Sequence, residues 1–351
     1  MICALVLKEF RMHLPSIESI EKFYKNVYIS PHMDDGVISC GGRILKQLNN
    51  GESVLVVTVF TGNIDEERKP RGQALAHLIN TNDRRVEDKR AMERLGVDYL
   101  WLDYIDSIFR RKSPLLRYGV TPGSSDAEKR LSEDLITDVR KICVAAANSN
   151  LYLPLGVGQH MDHQILFQVG RRLQQPCEIS FYEDIPYALF PMALKYRMRF
   201  LGINYGPPAG SMTKPVSVLR EIIQFYRAIL GVPSLKLNNP FLKPIVFLFI
   251  MFSVLFLAHP LRPRASALGG LKLSPEVTDV SSVINEKLET ISEYRSQLNT
   301  SMWNMKTLRE ALAGYSQAIG AKEGQYLERY WKTARNPYKV DLISGSPYAV
   351  K

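Results

Sequence analysis

The chain has 351 residues, 46% hydrophobic and 23% charged, with a net charge of +10. That length and apolar share exclude a disordered chain and provide for a full core with more than one structural unit. Its four cysteines, Cys3, Cys40, Cys143 and Cys177, contain no CxxC pair, which argues against a disulfide framework or a structural zinc knuckle and favours a reducing compartment.

The opening MICALVLKEFRMHL is apolar but has no basic stretch before it and no small-residue cleavage site, so no secretory signal is read and cytoplasmic residence is expected. Short β-branched or aromatic runs then alternate with helical patterns. Strands are predicted over Asn26–Ser30, Ser53–Phe60, Tyr99–Leu102, Leu151–Leu155 and Ile179–Tyr182, and helices over Gly36–Asn49, Asp83–Leu95, Asp126–Asn148 and Met161–Leu173. This alternation predicts an α/β fold built on a Rossmann-like, doubly wound, mostly parallel sheet. Such sheets bind ligands in the crevice beyond the carboxyl ends of their strands.

After Tyr187 the character changes. Pro215–Leu230 reads as an amphipathic helix, and Ile245–Ala258 is a nearly uninterrupted apolar run that falls short of the roughly 20 residues needed to span a bilayer. Between Ile185 and Pro275 stand eleven basic residues and a single acidic one, Glu221; the rest of the chain, with 34 of each sign, is neutral. The charge excess therefore belongs to one segment, which should have its own partner. A buried core helix and a true span both remain open for the apolar run. The favoured expectation is an interfacial element drawn to an anionic membrane surface, which would place the protein peripherally at the inner face of the membrane. From Ser281 to Trp331 the pattern turns helical again, most clearly in INEKLETISEYRSQL and GQYLERYWK. The expected division is a catalytic α/β domain over 1–190, a basic hydrophobic insert over 191–275, and a C-terminal helical segment over 276–351 that packs back on the first domain.

Two turns carry chemistry. SPHMDD follows the first predicted strand, and GVGQHMDH follows the strand at Leu151–Leu155. Both lie at carboxyl ends and can face one crevice. A catalytic divalent metal takes three protein ligands and keeps an open position, and two histidines with a carboxylate form one standard set. His32 and Asp35, joined by His163, supply it. Asp34 and His160 are left beside the metal, as a general base and as an imidazole to stabilise an oxyanion and protonate a leaving amine, with Asp162 to orient His160. Singly, these residues have plainer readings: an aspartate at a helix start is often a cap, and a loop histidine often packs. Three of the six histidines falling in two aspartate-bearing turns favour a site.

Together with VVTVFTG, RRVEDKRAMERLGV, LDYIDSIFR and FYEDIPYA, these turns resemble the PIG-L (LmbE-like) de-N-acetylases over most of Val27–Tyr187. The resemblance implies metal-dependent removal of the acetyl group from N-acetylglucosamine-type sugars. It places metal ligands on His32, Asp35 and His163, the base on Asp34, and the electrophilic histidine with its aspartate on His160 and Asp162. It also implies that Arg84 and Asp106 stand near the sugar. Without it, Arg84 lies in a charged helix face and Asp106 is a loop carboxylate. Glu183 and Tyr187 either line the sugar pocket or end a strand and begin a turn. Met33 and Gly36 depart from the family, where most members have proline and glutamate.

The expected protein is a zinc-dependent hydrolase of a linear amide, with iron(II) or another divalent metal also tolerated by this ligand set. Its substrate is an amino sugar linked to a lipid or glycan. A soluble amino-sugar conjugate, or a non-hydrolytic metalloprotein using two histidines and a carboxylate, are the alternatives. Nucleic acid is not an expected partner, because the basic segment pairs its charge with aliphatic bulk and contains no recognisable binding motif.

Overall fold

The structure is a computed structural model that describes residues 12–64, 80–110, 125–146, 149–173, 177–203, 272–300 and 305–334. Strands β1 (His13–Leu14), β2 (Asn26–Ser30), β3 (Val54–Thr58), β4 (Asp98–Trp101), β5 (Asn150–Pro154), β6 (Glu178–Tyr182), β7 (Lys272–Asp279) and β8 (Leu327–Ala334) form one sheet in the order β1-β4-β3-β2-β5-β6-β8-β7. The first six are parallel; β8 runs antiparallel to both β6 and β7. Strands β2 and β3 are buried throughout, as unbroken apolar runs in a sheet covered on both faces should be.

The helices are α1 (Asp35–Asn49), α2 (Thr81–Leu95), α3 (Ser107–Arg110), α4 (Asp126–Ala145), α5 (Met161–Arg172), α6 (Pro191–Phe200), α7 (Ile284–Ile291), α8 (Arg295–Thr300) and α9 (Met305–Ala318). Their ends follow from local chemistry. The Asn80 side chain caps α2 by accepting from the Asp83 amide, and Gly96, with φ of 80°, ends it. The Ser125 side chain caps α4 in the same way through the Glu128 amide. Along α1, Val37, Cys40 and Ile44 are buried.

Strand order decides where a site can form. From β2 the chain crosses to β3 and β4 on one side, and from β5 to β6 on the other, so the order reverses between β2 and β5. Those two strands pair in parallel, with Asn26 opposite Asn150 and Tyr28 opposite Tyr152. The turns leaving their carboxyl ends therefore share the crevice that this topology opens.

The C-terminal part departs from expectation. GQYLERYWK forms no helix; it enters strand β8, and its partner β7 begins at Lys272, inside the segment read as insert. Two of the three charges in GQYLERYWK, Glu328 and Arg329, are buried and paired, while Lys332 is exposed beside Glu178. Glu328 accepts from Lys287 Nζ (2.7 Å), Tyr330 Oη (2.8 Å) and the amides of Gly42 and Arg43 (both 2.9 Å). Arg329 is paired with Glu183. Arg197, counted among the basic residues of the insert, is 1% exposed in α6, while Lys195 and Arg199 beside it are exposed. Pro215–Leu230 and the apolar run Ile245–Ala258 lie outside the described residues; among those described, no helix is long and apolar enough to cross a membrane.

Gly42 shows how tightly α1 meets β8. A Cβ there would lie 2.6 Å from Glu328 Oε1 and 2.6 Å from the Val280 side chain. Helix propensity alone would make Gly42→Ala stabilising by about 1 kcal/mol. The overlap should reverse the sign, giving a net loss of about 1–3 kcal/mol in urea denaturation. A gain in stability would show that β8 is not locked against the helix.

Candidate metal centre and active site

The turn after β2 is shaped by its last residue. Ser30 Oγ donates to the His32 carbonyl (2.6 Å) and accepts from the Gly36 amide (2.8 Å), which folds PHMDD back over the end of the strand. A Cβ on Gly36 would stand 3.1 Å from Ser30 Cβ and Oγ, so the glycine found where the family usually has glutamate lets α1 start close against the strand. The Asp35 carboxylate accepts from the His32 amide at 3.0 Å. From the other side, β5 runs into a turn in which Gly156, Gly158 and Gln159 all have positive φ. His160 then caps α5, and His163 stands in its first turn.

The two turns meet. Asp35 Oδ2 lies 3.0 Å from His32 Nδ1 and 3.2 Å from His163 Nε2. The other nitrogen of each ring faces a second carboxylate: His32 Nε2 lies 3.1 Å from Asp162 Oδ2, and His163 Nδ1 lies 2.6 Å from Asp184 Oδ1. Ligating histidines bear this signature, with one nitrogen toward the ion and the other fixed by a carboxylate. His163 is fully buried, and its Nε2 makes no hydrogen bond despite the nearby carboxylate. A carboxylate oxygen with an imidazole nitrogen on each side, in a buried place, is a donor set of the kind that suits a divalent ion of the zinc or iron(II) type. His160 stands edge-on to both rings, with centroids 4.9 and 5.2 Å away. The ligand atoms of His32, His160 and His163 come within 4.8 Å of one another, as do those of His32, Asp106 and Asp162.

Charge separates the adjacent aspartates. Burial would raise Asp35, but His163 and His32 outweigh it and hold its carboxyl well below the usual range. Burial and the neighbouring Asp35 charge push Asp34 up, against Arg84 and His32. Burial opposes protonation of His32 and His163, yet the surrounding carboxylates win: Asp106, Asp162 and Asp35 raise His32 well above its ordinary value, and Asp35 with Asp184 brings His163 to about 9. A strongly anionic pocket takes up positive charge in this way.

Around this centre, Arg84 Nη2 lies 3.3 Å from Asp34 Oδ1. Asp106 starts α3 by accepting from the Ile108 amide, while its other oxygen is 3.5 Å from His32 Nε2. Asp162 is held by the Ser107 amide at 3.0 Å and by Arg110, and lies 3.1 Å from His32 Nε2; against burial, Arg110, His32 and His160 together hold its carboxyl well below the usual range. Tyr187 packs edge-on to His163 at 5.5 Å. Glu183 is not brought to the centre. Its carboxylate accepts from Arg329, Trp331 Nε1 (2.8 Å) and Tyr315 Oη (2.7 Å), which makes it a buried tie to β8 and α9. Asp184 and Arg110 were missed. Asp184 was legible in principle, since FYEDIPYA leaves the strand beside β5, and of two adjacent carboxylates at a strand end only one faces its neighbour's turn.

Comparison with known proteins agrees with this geometry. Residues 27–173 match the family described as PIG-L: GlcNAc-PI de-N-acetylase. The 2'-N-acetylparomamine deacetylase of Niallia circulans is 26% identical over 186 residues, which cover 46% of this chain and 66% of that enzyme. A deacetylase of the teicoplanin biosynthesis pathway superimposes with a TM-score of 0.59 at 21% identity, covering 89% of this chain and 98% of the other. A zinc-inhibited form of teicoplanin deacetylase gives 0.58 at 20% identity, over 89% and 98% of the two chains. At these identities the solved structures establish the fold. The conclusion that the matched segment supports is that residues 27–173 of this chain match the PIG-L family.

Proposed function

We propose that this protein is a divalent-metal-dependent de-N-acetylase that hydrolyses the acetamide of an N-acetylglucosamine-type sugar. The observation carrying this reading is the approach of His32 Nδ1 and His163 Nε2 to Asp35 Oδ2, with Asp34 adjoining. It is supported by the PIG-L match and by a relative named 2'-N-acetylparomamine deacetylase.

His32, Asp35 and His163 would hold the ion, zinc in the first instance and iron(II) as the alternative. When bound, the ion supplies Lewis-acid polarisation of the amide carbonyl and acidification of water. Asp34 takes the proton from the attacking water; its raised proton affinity suits a base, and Arg84 fixes one of its oxygens. His160 would stabilise the developing oxyanion and later supply a proton to the leaving amine. Asp162 keeps His32 in place, and Asp106 and Tyr187, beside His32 and His163, would recognise sugar hydroxyls. Collapse releases acetate and a free amino sugar.

For the aglycone, the basic segment supports a lipid- or glycan-linked sugar met at the cytoplasmic face of a membrane. A second reading, a soluble amino-sugar conjugate, is favoured by the name of the paromamine relative.

Three outcomes follow. Asp34→Asn should retain the ion while acetate release falls by at least about a hundredfold, the usual scale for losing a general base; undiminished release would remove Asp34 from its role. Chelation should abolish release, with recovery on returning one equivalent of zinc or iron(II), and activity that persists through exhaustive chelation would exclude a metal enzyme. In flotation with anionic liposomes the full chain should rise with the vesicles at low salt and a form lacking 204–271 should not; if both stay in the soluble fraction, the soluble conjugate becomes the better reading.

A further inference from the structure

The turn that delivers His160 and His163 is strained. Gln159 has φ of 61°, between glycines at 80° and 82° on one side and the cap of α5 on the other. A residue other than glycine stays in that region only when its surroundings over-determine it. Two charged side chains from beyond the matched PIG-L residues do so here. Asp184 accepts from the Val157 amide at 2.8 Å and faces His163 Nδ1 at 2.6 Å, so one carboxylate ties the middle of the turn to the imidazole. Arg197 Nε donates to the Leu155 carbonyl at 2.7 Å, where the turn leaves β5.

Arg197 is expensive to place. It is 1% exposed, its guanidinium lies over the Phe167 ring at 4.4 Å, and its Nη2 has no hydrogen-bond partner among the described residues. Gly156 makes room for it, since a Cβ there would stand 2.8 Å from Nη2. Burial lowers its proton affinity, bringing the pKa to about 10, and the main opposing influence is the Asp184 charge. An aliphatic side chain would fill the gap between Phe167 and Phe200 without burying a charge, and such replacements are often neutral or stabilising.

We propose that Arg197 is a positioning residue for the metal centre: it anchors at Leu155 the turn whose middle Asp184 ties to the imidazole, and so sets where His163 stands. This rests on the reading of His32, Asp35 and His163 as ligands, though not on the reaction assigned to them. Removing the guanidinium frees the start of the turn that Asp184 ties to the imidazole, so His163 loses its fixed orientation while His32 and Asp35 keep theirs.

The test uses the full chain and cobalt(II), with affinity from chelator competition, the visible ligand-field spectrum and thermal denaturation measured together. Loss of a group that orients a ligand typically costs about 10–100-fold in affinity. Arg197→Met should show that loss and an altered spectrum, and Arg197→Lys, which keeps charge and donor, should recover most of the affinity. If Arg197→Met does not fold, Arg197→Gln against Arg197→Lys makes the same comparison. A folded Arg197→Met with wild-type affinity and spectrum overturns the inference and leaves Arg197 a packing residue. Failure of the wild-type chain to bind cobalt(II) overturns the metal centre and this inference with it. If the wild-type chain binds cobalt(II) but releases no acetate, only the hydrolytic assignment falls.

Discussion

A single carboxylate oxygen, Asp35 Oδ2, stands between two imidazole nitrogens that reach it from opposite turns. That spacing is the constraint on which the rest depends. It requires the carboxyl ends of β2 and β5 to be adjacent, and the reversal of strand order between them provides this. It also requires each ring to be held from behind, because a histidine free to rotate would not keep one nitrogen on the cluster. Asp162 does this for His32 and Asp184 for His163. The anionic surplus left by these carboxylates accounts for the high proton affinity of both rings and for their suitability to a dication.

The adjacency of Asp34 and Asp35 becomes a division of labour set by environment. Two like carboxylates side by side cannot share the same protonation behaviour in a dry site. Asp35 has both imidazoles and stays ionised; in Asp34, burial and the Asp35 charge outweigh Arg84, His32 and a backbone hydrogen bond, so its proton affinity rises. Pairs driven apart in this way mark the acid and base assignments of a site.

Much of this was legible in the sequence because it is locally encoded. The strand at Asn26–Ser30 was placed to the residue, and α1, α2, α4 and α5 were found to within a few residues, since buried parallel strands and capped amphipathic helices announce themselves in period and punctuation. The two His/Asp turns were legible for the same reason. What escaped is non-local. β8 reads as a charged helix because Glu328 and Arg329 look solvated until Lys287 and Glu183 are seen beside them. Glu183 and Asp184 are adjacent carboxylates with opposite tasks, and only the neighbouring strands decide which serves the centre. Arg197 counted as one more surface charge in a basic stretch, whereas it is buried under the turn that carries His160.

The central claim is that the turns after β2 and β5 make one metal centre through His32, Asp35 and His163. A crystal structure of the zinc-loaded chain, with the ion located by anomalous scattering, tests it most directly. The account predicts one ion at about 2.0–2.2 Å from nitrogens of His32 and His163 and an oxygen of Asp35, with Asp34 close by and unbound. An ion held instead by Asp106 and Asp162, with His163 uninvolved, would contradict it.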